Sequence, residues 1–173
     1  MSKMTKSYKI AYMGILFGMS VALSFLEGLV PLTSVLPVGV KLGLSNVVTM
    51  YTLFFLGAPQ AFLIAFLKSL FVFLMRGFNA SLMSFMGGIL SVAIMSLLLK
   101  IFKVKSYFVL SIFGAVTHNL GQLLMSTLVL LNLKVLYYFP ALFLSGIVMG
   151  VLTAFVLKII LPYIKKFFKL DIM

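Results

Sequence analysis

Six apolar runs, with almost every cation at or near their ends, decide what this chain can become. They cover residues 10–26, 42–56, 61–75, 82–99, 108–131 and 140–161. A helix needs about 20 apolar residues to cross a hydrocarbon core about 30 Å thick. Charged residues make up 9% of the chain, against about 25% in a soluble domain. Too few charges remain to cover a water-facing surface, so the bilayer is the expected solvent. The expectation is an all-α integral membrane protein, a bundle of six transmembrane helices in a single domain spanning residues 1–173.

The second and third runs are short for spans. Only Gly57, Ala58, Pro59 and Gln60 separate them, which reads as a tight turn at the membrane surface. One hairpin dipping into the membrane is the alternative. Lys3, Lys6 and Lys9 before the first run resemble the start of a signal peptide. That run is longer than a usual signal core, and no small-x-small cleavage site leads into a polar domain. It is read as a retained first span.

Cations favour the cytoplasmic side of membrane proteins. With both termini inside, ten lysines flank the inner ends: Lys3, Lys6, Lys9, Lys100, Lys103, Lys105, Lys158, Lys165, Lys166 and Lys169. Three cations flank the outer ends: Lys41, Arg76 and Lys134. The expected location is a bacterial cell membrane, multi-pass, with a short basic cytoplasmic tail at each end. The net charge of +12 is thus a topology signal and not a nucleic-acid face.

The scarcity of reactive side chains excludes several chemistries. The chain has no cysteine, one histidine (His118) and two acids (Glu27 and Asp171). Hard cations need oxygen ligands, so the aspartate-rich Mg²⁺ site of an ordinary trans-prenyl transferase cannot be built. No phosphate-cradling G-x-x-x-x-G-K-[ST] loop is present. The chain is not expected to be an enzyme, and it implies no cofactor or metal.

Polar residues gather where the chain is otherwise apolar. "VGVKLGLSNVVT", residues 38–49, holds Lys41, Gly39, Gly43, Ser45, Asn46 and Thr49. Lys68 lies inside the third run, and Arg76 lies eight residues on, near the same face. "GAVTHNLGQLLMS" in the fifth run places His118, Asn119 and Gln122 three to four residues apart, with Ser126 following. Ionisable groups at membrane depth usually face a cavity or a partner. Lys41, Asn46, Lys68, Arg76, His118, Asn119 and Gln122 are therefore the candidate substrate-binding residues. Their plainer roles are snorkelling for Lys41 and Arg76, a salt bridge to Glu27 for Lys68, and interhelical hydrogen bonding for the amides and imidazole.

Two ladders of small residues stand apart from these groups. The first run carries Ala11, Gly14, Gly18 and Ala22, and the last carries Gly146, Gly150 and Ala154. Such spacing lets another helix backbone approach closely. Each ladder suits either packing inside the bundle or a subunit interface.

"LPVGVKLGLSNVVTMYTLFFLGAPQAFLIAFLKSLFVFLMRG", together with "GGILSVAIMSLL" and "GAVTHNLGQLL", resembles a bacterial membrane family. That family is described as heptaprenyl diphosphate synthase component one or as the Gx transporter family. The resemblance runs from about residue 11 to 161. Its specific part carries Lys41, Gly43, Asn46, His118, Asn119, Gly121 and Gln122. Ser45 departs from it, where alanine is more usual.

The Gx family in turn resembles substrate-binding (S) components of energy-coupling-factor transporters. By that resemblance, six helices bind a vitamin or cofactor precursor from outside, and the protein tips over in the membrane to deliver it. The first helix, with Ala11, Gly14, Gly18 and Ala22, would dock on a transmembrane coupling subunit driven by two cytoplasmic ATPases. The implied substrate is a small cofactor-like or isoprenoid-related compound, with the cations favouring an anionic one. The alternative is a non-catalytic membrane subunit of heptaprenyl diphosphate synthase. The expected partners are thus a small molecule, lipid and these subunits, with no nucleic acid.

Topology can be tested directly, because no native cysteine competes for label. A cysteine introduced beside Lys103 should resist an impermeant maleimide in intact cells and react after lysis. Labelling from outside would overturn the inside-terminus orientation.

Overall fold

The computed structural model describes residues 6–29, 44–104 and 106–168. Six α-helices account for nearly all of them. These are α1 (Lys6–Leu29), α2 (Leu44–Phe55), α3 (Ala58–Arg76), α4 (Phe78–Lys100), α5 (Tyr107–Leu130) and α6 (Phe139–Phe168). A 3₁₀ helix, Leu133–Tyr138, leads into α6. The described residues contain no strand.

Five of the six helices are long and apolar enough to cross a membrane. The sixth, α2, is short over its described residues, as the second apolar run is. At 12 residues and about 1.5 Å per residue it is about 18 Å long, well short of a core about 30 Å thick. It need not meet lipid. Val47, Val48, Met50, Tyr51, Leu53 and Phe55 are buried, and so are Ser45, Thr49 and Thr52. A helix buried on both its apolar and its hydroxyl-bearing faces sits in an interior. Here α2 packs against each of the other five helices and forms the axis of the bundle. Around it run α3, α4, α5 and α6, each beside the next, while α1 lies against α2 and α3.

The turns explain this order. α3 follows α2 directly through Gly57, whose φ of 98° favours glycine. Pro59 then starts α3 where a missing N–H costs nothing. α3 and α4 are joined by Gly77 alone, at φ 84°. α5 is capped by Ser106, whose side chain accepts from the Val109 N–H. At the other end of α1, Tyr12 and Tyr51 hydroxyls are hydrogen-bonded at 2.5 Å, which ties α1 to α2 in the core.

The outer helices cross at glycines. A Cβ on Gly121 would sit 2.8 Å from the Met86 carbonyl oxygen and 2.9 Å from Gly87 Cα. A Cβ on Gly150 would sit 2.5 Å from Ile112 Cα. Ser91 Oγ donates to the Gly114 carbonyl at 2.8 Å and pins α4 to α5 in the same region.

The two small-residue ladders therefore have different roles. Gly146 and Gly150 press on Val116 and Ile112 of α5, and Ala154 is buried. This ladder is internal packing. Ala11, Gly14, Gly18 and Ala22 are all exposed, and a Cβ on Gly14 or Gly18 would meet nothing within 4 Å. That ladder faces away from the bundle.

The contrast yields a paired prediction. Gly150→Ala should destabilise the protein by about 1–3 kcal/mol, the usual cost of overpacking, because the obstructing atoms are backbone. Gly18→Ala should be neutral or stabilising by up to about 1 kcal/mol, from helix propensity. Thermal unfolding of the purified variants in one detergent checks both. A wild-type melting point for Gly150→Ala would rule out the close α5–α6 crossing.

Candidate functional site

The start of a buried helix presents N–H groups that need acceptors. In α2 that start is reached by the last turns of α1. Glu27 is buried, and its carboxylate accepts from the Ser45 N–H and from Ser45 Oγ, each at 3.2 Å. A carboxylate at a helix N-terminus also faces the favourable end of the helix dipole. The neighbouring Asn46 turns its side chain toward α3, where Oδ1 accepts from Lys68 Nζ at 3.1 Å. Lys68 is itself buried, at 7% exposure. The hydrogen bond shown by its ammonium thus goes to Asn46, while Glu27 is engaged by Ser45.

These groups line one narrow cavity that draws on all six helices. Ser24 and Glu27 come from α1, Asn46 from α2, Lys68 from α3 and Ser84 from α4. α5 contributes His118, Asn119 and Gln122, and α6 contributes Met149 and Thr153. The α4–α5 crossing sets the α5 groups in place. A Cβ on Gly87 would meet the His118 carbonyl oxygen and the Gln122 side chain within 3.0 Å. Asn119 also holds the wall together, since its Nδ2 donates to the Leu142 carbonyl of α6 at 2.9 Å. The interhelical role read from the sequence for this amide is therefore occupied. The cavity volume is about 20 Å³, and a water molecule needs about 10–15 Å³. A second space of about 10 Å³ continues from Asn46, Lys68, Ser84 and His118 toward Thr49, Ser91 and Met95. Anything larger than a few atoms enters only if the helices separate.

Five of the seven sequence-derived candidates meet at this cavity: Asn46, Lys68, His118, Asn119 and Gln122. Lys41 lies outside the described residues, with the rest of 30–43. Arg76 is exposed and lines a different space between α1 and α3. The reason is helical geometry: eight residues make about 2.2 turns, which rotates Arg76 about 80° from Lys68. Sequence reasoning noted Ser45 beside Asn46 without making it a candidate, and missed Ser24, Ser84 and Thr153. Single hydroxyls are common in membrane helices, and only Ser84, in step with Gly87, Gly88 and Ser91, left a periodic trace in the sequence.

The charges at the cavity oppose each other. Lys68 brings one positive charge and Glu27 one negative, among amides, hydroxyls and an imidazole. Such a lining can hydrogen-bond to both acceptors and donors. Among the described residues no cluster of three or more His, Cys, Asp or Glu exists to hold a metal ion.

Residues 16–160 match the family model described as heptaprenyl diphosphate synthase component I. The chain belongs to that family. Comparison with curated proteins and with solved structures returned no match. The matched span begins within α1 and ends within α6, so it includes every described residue of the cavity.

The Glu27 cap makes a measurable claim. Glu27→Ala should lower stability by about 1–3 kcal/mol, the cost of leaving a buried donor unsatisfied. Glu27→Gln keeps an acceptor oxygen and should lose less. Melting temperatures of both variants against wild type decide it. Unchanged stability in Glu27→Ala would show that the carboxylate does not hold the start of α2.

Proposed function

We propose that this protein is the substrate-binding membrane subunit of an energy-coupling-factor-type transporter. It binds a small cofactor-like or isoprenoid-related compound from the outer side of a bacterial cell membrane. A transmembrane coupling subunit and two cytoplasmic ATPases supply the movement. The observation that carries this reading is the division of labour on α1. Its inner face delivers Ser24 and Glu27 to a polar cavity, while Ala11, Gly14, Gly18 and Ala22 stand exposed on its outer face. In lipid, a small-residue stripe gives a partner helix close backbone contact. The cavity supplies Lys68 for an acidic group, and Asn46, His118 and Gln122 for neutral polar groups.

A second reading has support of its own. The family description names a component of heptaprenyl diphosphate synthase. On that reading the chain is a non-catalytic membrane partner, and the same outward stripe on α1 receives a synthase-associated subunit. Neither reading assigns catalysis to this chain, whose acids number two.

The two readings separate on what α1 recruits and what the cavity binds. Gly14→Leu and Gly18→Leu should abolish co-purification with a co-expressed coupling subunit and leave ligand affinity unchanged. Lys68→Met should weaken an acidic ligand by about one to two orders of magnitude, from a charge-assisted bond of about 1.5–3 kcal/mol. Gln122→Ala should cost about tenfold, from a neutral bond of about 0.5–1.5 kcal/mol. Capture of a soluble prenyl transferase in place of the coupling subunit would support the second reading and overturn the first.

A further inference from the structure

The polar cavity is too small to be the whole of a ligand site. Its volume is about 20 Å³, enough for a head group of a few atoms once the walls ease apart. The larger space lies beside it. Between α1 and α3 a slot of about 140 Å³ is walled by Phe25, Phe71, Val72 and Met75. A protein void of about 150 Å³ lined by Leu, Ile and Phe binds benzene. Arg76, the last residue of α3, stands at this slot as its only charged lining residue among those described. Ser24 lines both spaces.

We propose that the ligand is bipartite. Its small polar head, with both hydrogen-bond donors and acceptors, sits between Glu27 and Lys68. Its apolar end, about the size of a benzene ring, passes Ser24 into the α1–α3 slot and lies beside the Arg76 guanidinium. Three observations favour this over a compact polyanion. A base, Lys68, and an acid, Glu27, both line the cavity. The space next to it is apolar and larger. The cation lining that space, among the described residues, is a guanidinium, which stacks on flat π-systems as well as pairing with anions. The proposal rests on the cavity's being the substrate site. It adds the chemical class of the molecule taken there.

The absence of native cysteine gives a direct test. Ser24→Cys places the chain's one thiol at the junction of the two spaces. Purified full-length protein is treated with three methanethiosulfonates: benzyl (aromatic, uncharged), trimethylammonioethyl (cationic) and sulfonatoethyl (anionic). Rates are normalised to those with free cysteine. The benzyl reagent should react at least tenfold faster than either charged reagent. Adding Met75→Trp, which fills the slot from an exposed wall position, should abolish that advantage with the melting temperature preserved. Phe25→Trp serves as the filling variant if Met75→Trp unfolds. Equal rates for the three reagents, or a benzyl advantage that survives filling, would overturn the proposal. So would an advantage present in detergent and lost in phospholipid nanodiscs, which would identify a lipid chain as the occupant. None of these readings involves a coupling subunit, so undiminished docking in Gly14→Leu with the slot intact would sink the transport reading alone.

Discussion

A short helix buried at the centre of a bundle begins among other helices, and its first N–H groups need acceptors there. Unpaired backbone groups in hydrocarbon cost several kcal/mol each. The contact from Glu27 to Ser45 answers that problem for α2, and the site depends on it. It holds the end of α1 over the start of α2. It also fixes Asn46, the next residue, in reach of Lys68. One acidic side chain thereby sets the relative positions of three helices at the polar end of the axis.

Close crossings at glycine do the corresponding work on the other side. Gly87 and Gly121 bring α4 and α5 within backbone contact, and Gly146 and Gly150 do so for α5 and α6. Apolar burial cannot drive helices together in lipid, because the tails are as apolar as the side chains. Close packing and interhelical hydrogen bonds such as Ser91 to Gly114 and Asn119 to Leu142 replace it. The result is a close-packed wall of α4, α5 and α6 from which His118 and Gln122 face the cavity. The α1 side is held by fewer elements, only α2 and α3 among the described ones.

Much of this arrangement was legible in the sequence. Long apolar runs gave α1, α3, α4, α5 and α6 close to their observed limits, because lipid imposes length and composition together. The shortness of the second run was legible too, but not its meaning. Residues that fail to span a bilayer look alike whether they lie at its surface or inside a protein. The amides and cations of α2, α3 and α5 were identifiable from depth, and five meet at one cavity. Lys68 and Arg76 separated because an eight-residue spacing drifts around a helix. Glu27 was expected as a counter-charge for Lys68, and its service to the α2 backbone depends on a contact 18 residues away in the chain. The two small-residue ladders looked equivalent as strings. Only their neighbours distinguish them.

The burial of α2 also bears on how the chain is made. Insertion into a bilayer is decided by the length and apolarity of each segment, and twelve residues offer little to hold a helix there alone. α2 is joined to α3 through Gly57 with no intervening loop. A helix this short is suited to enter a bilayer as one arm of a hairpin with the longer helix that follows it. The candidate site thus takes Ser45 and Asn46 from the segment least able to enter lipid by itself.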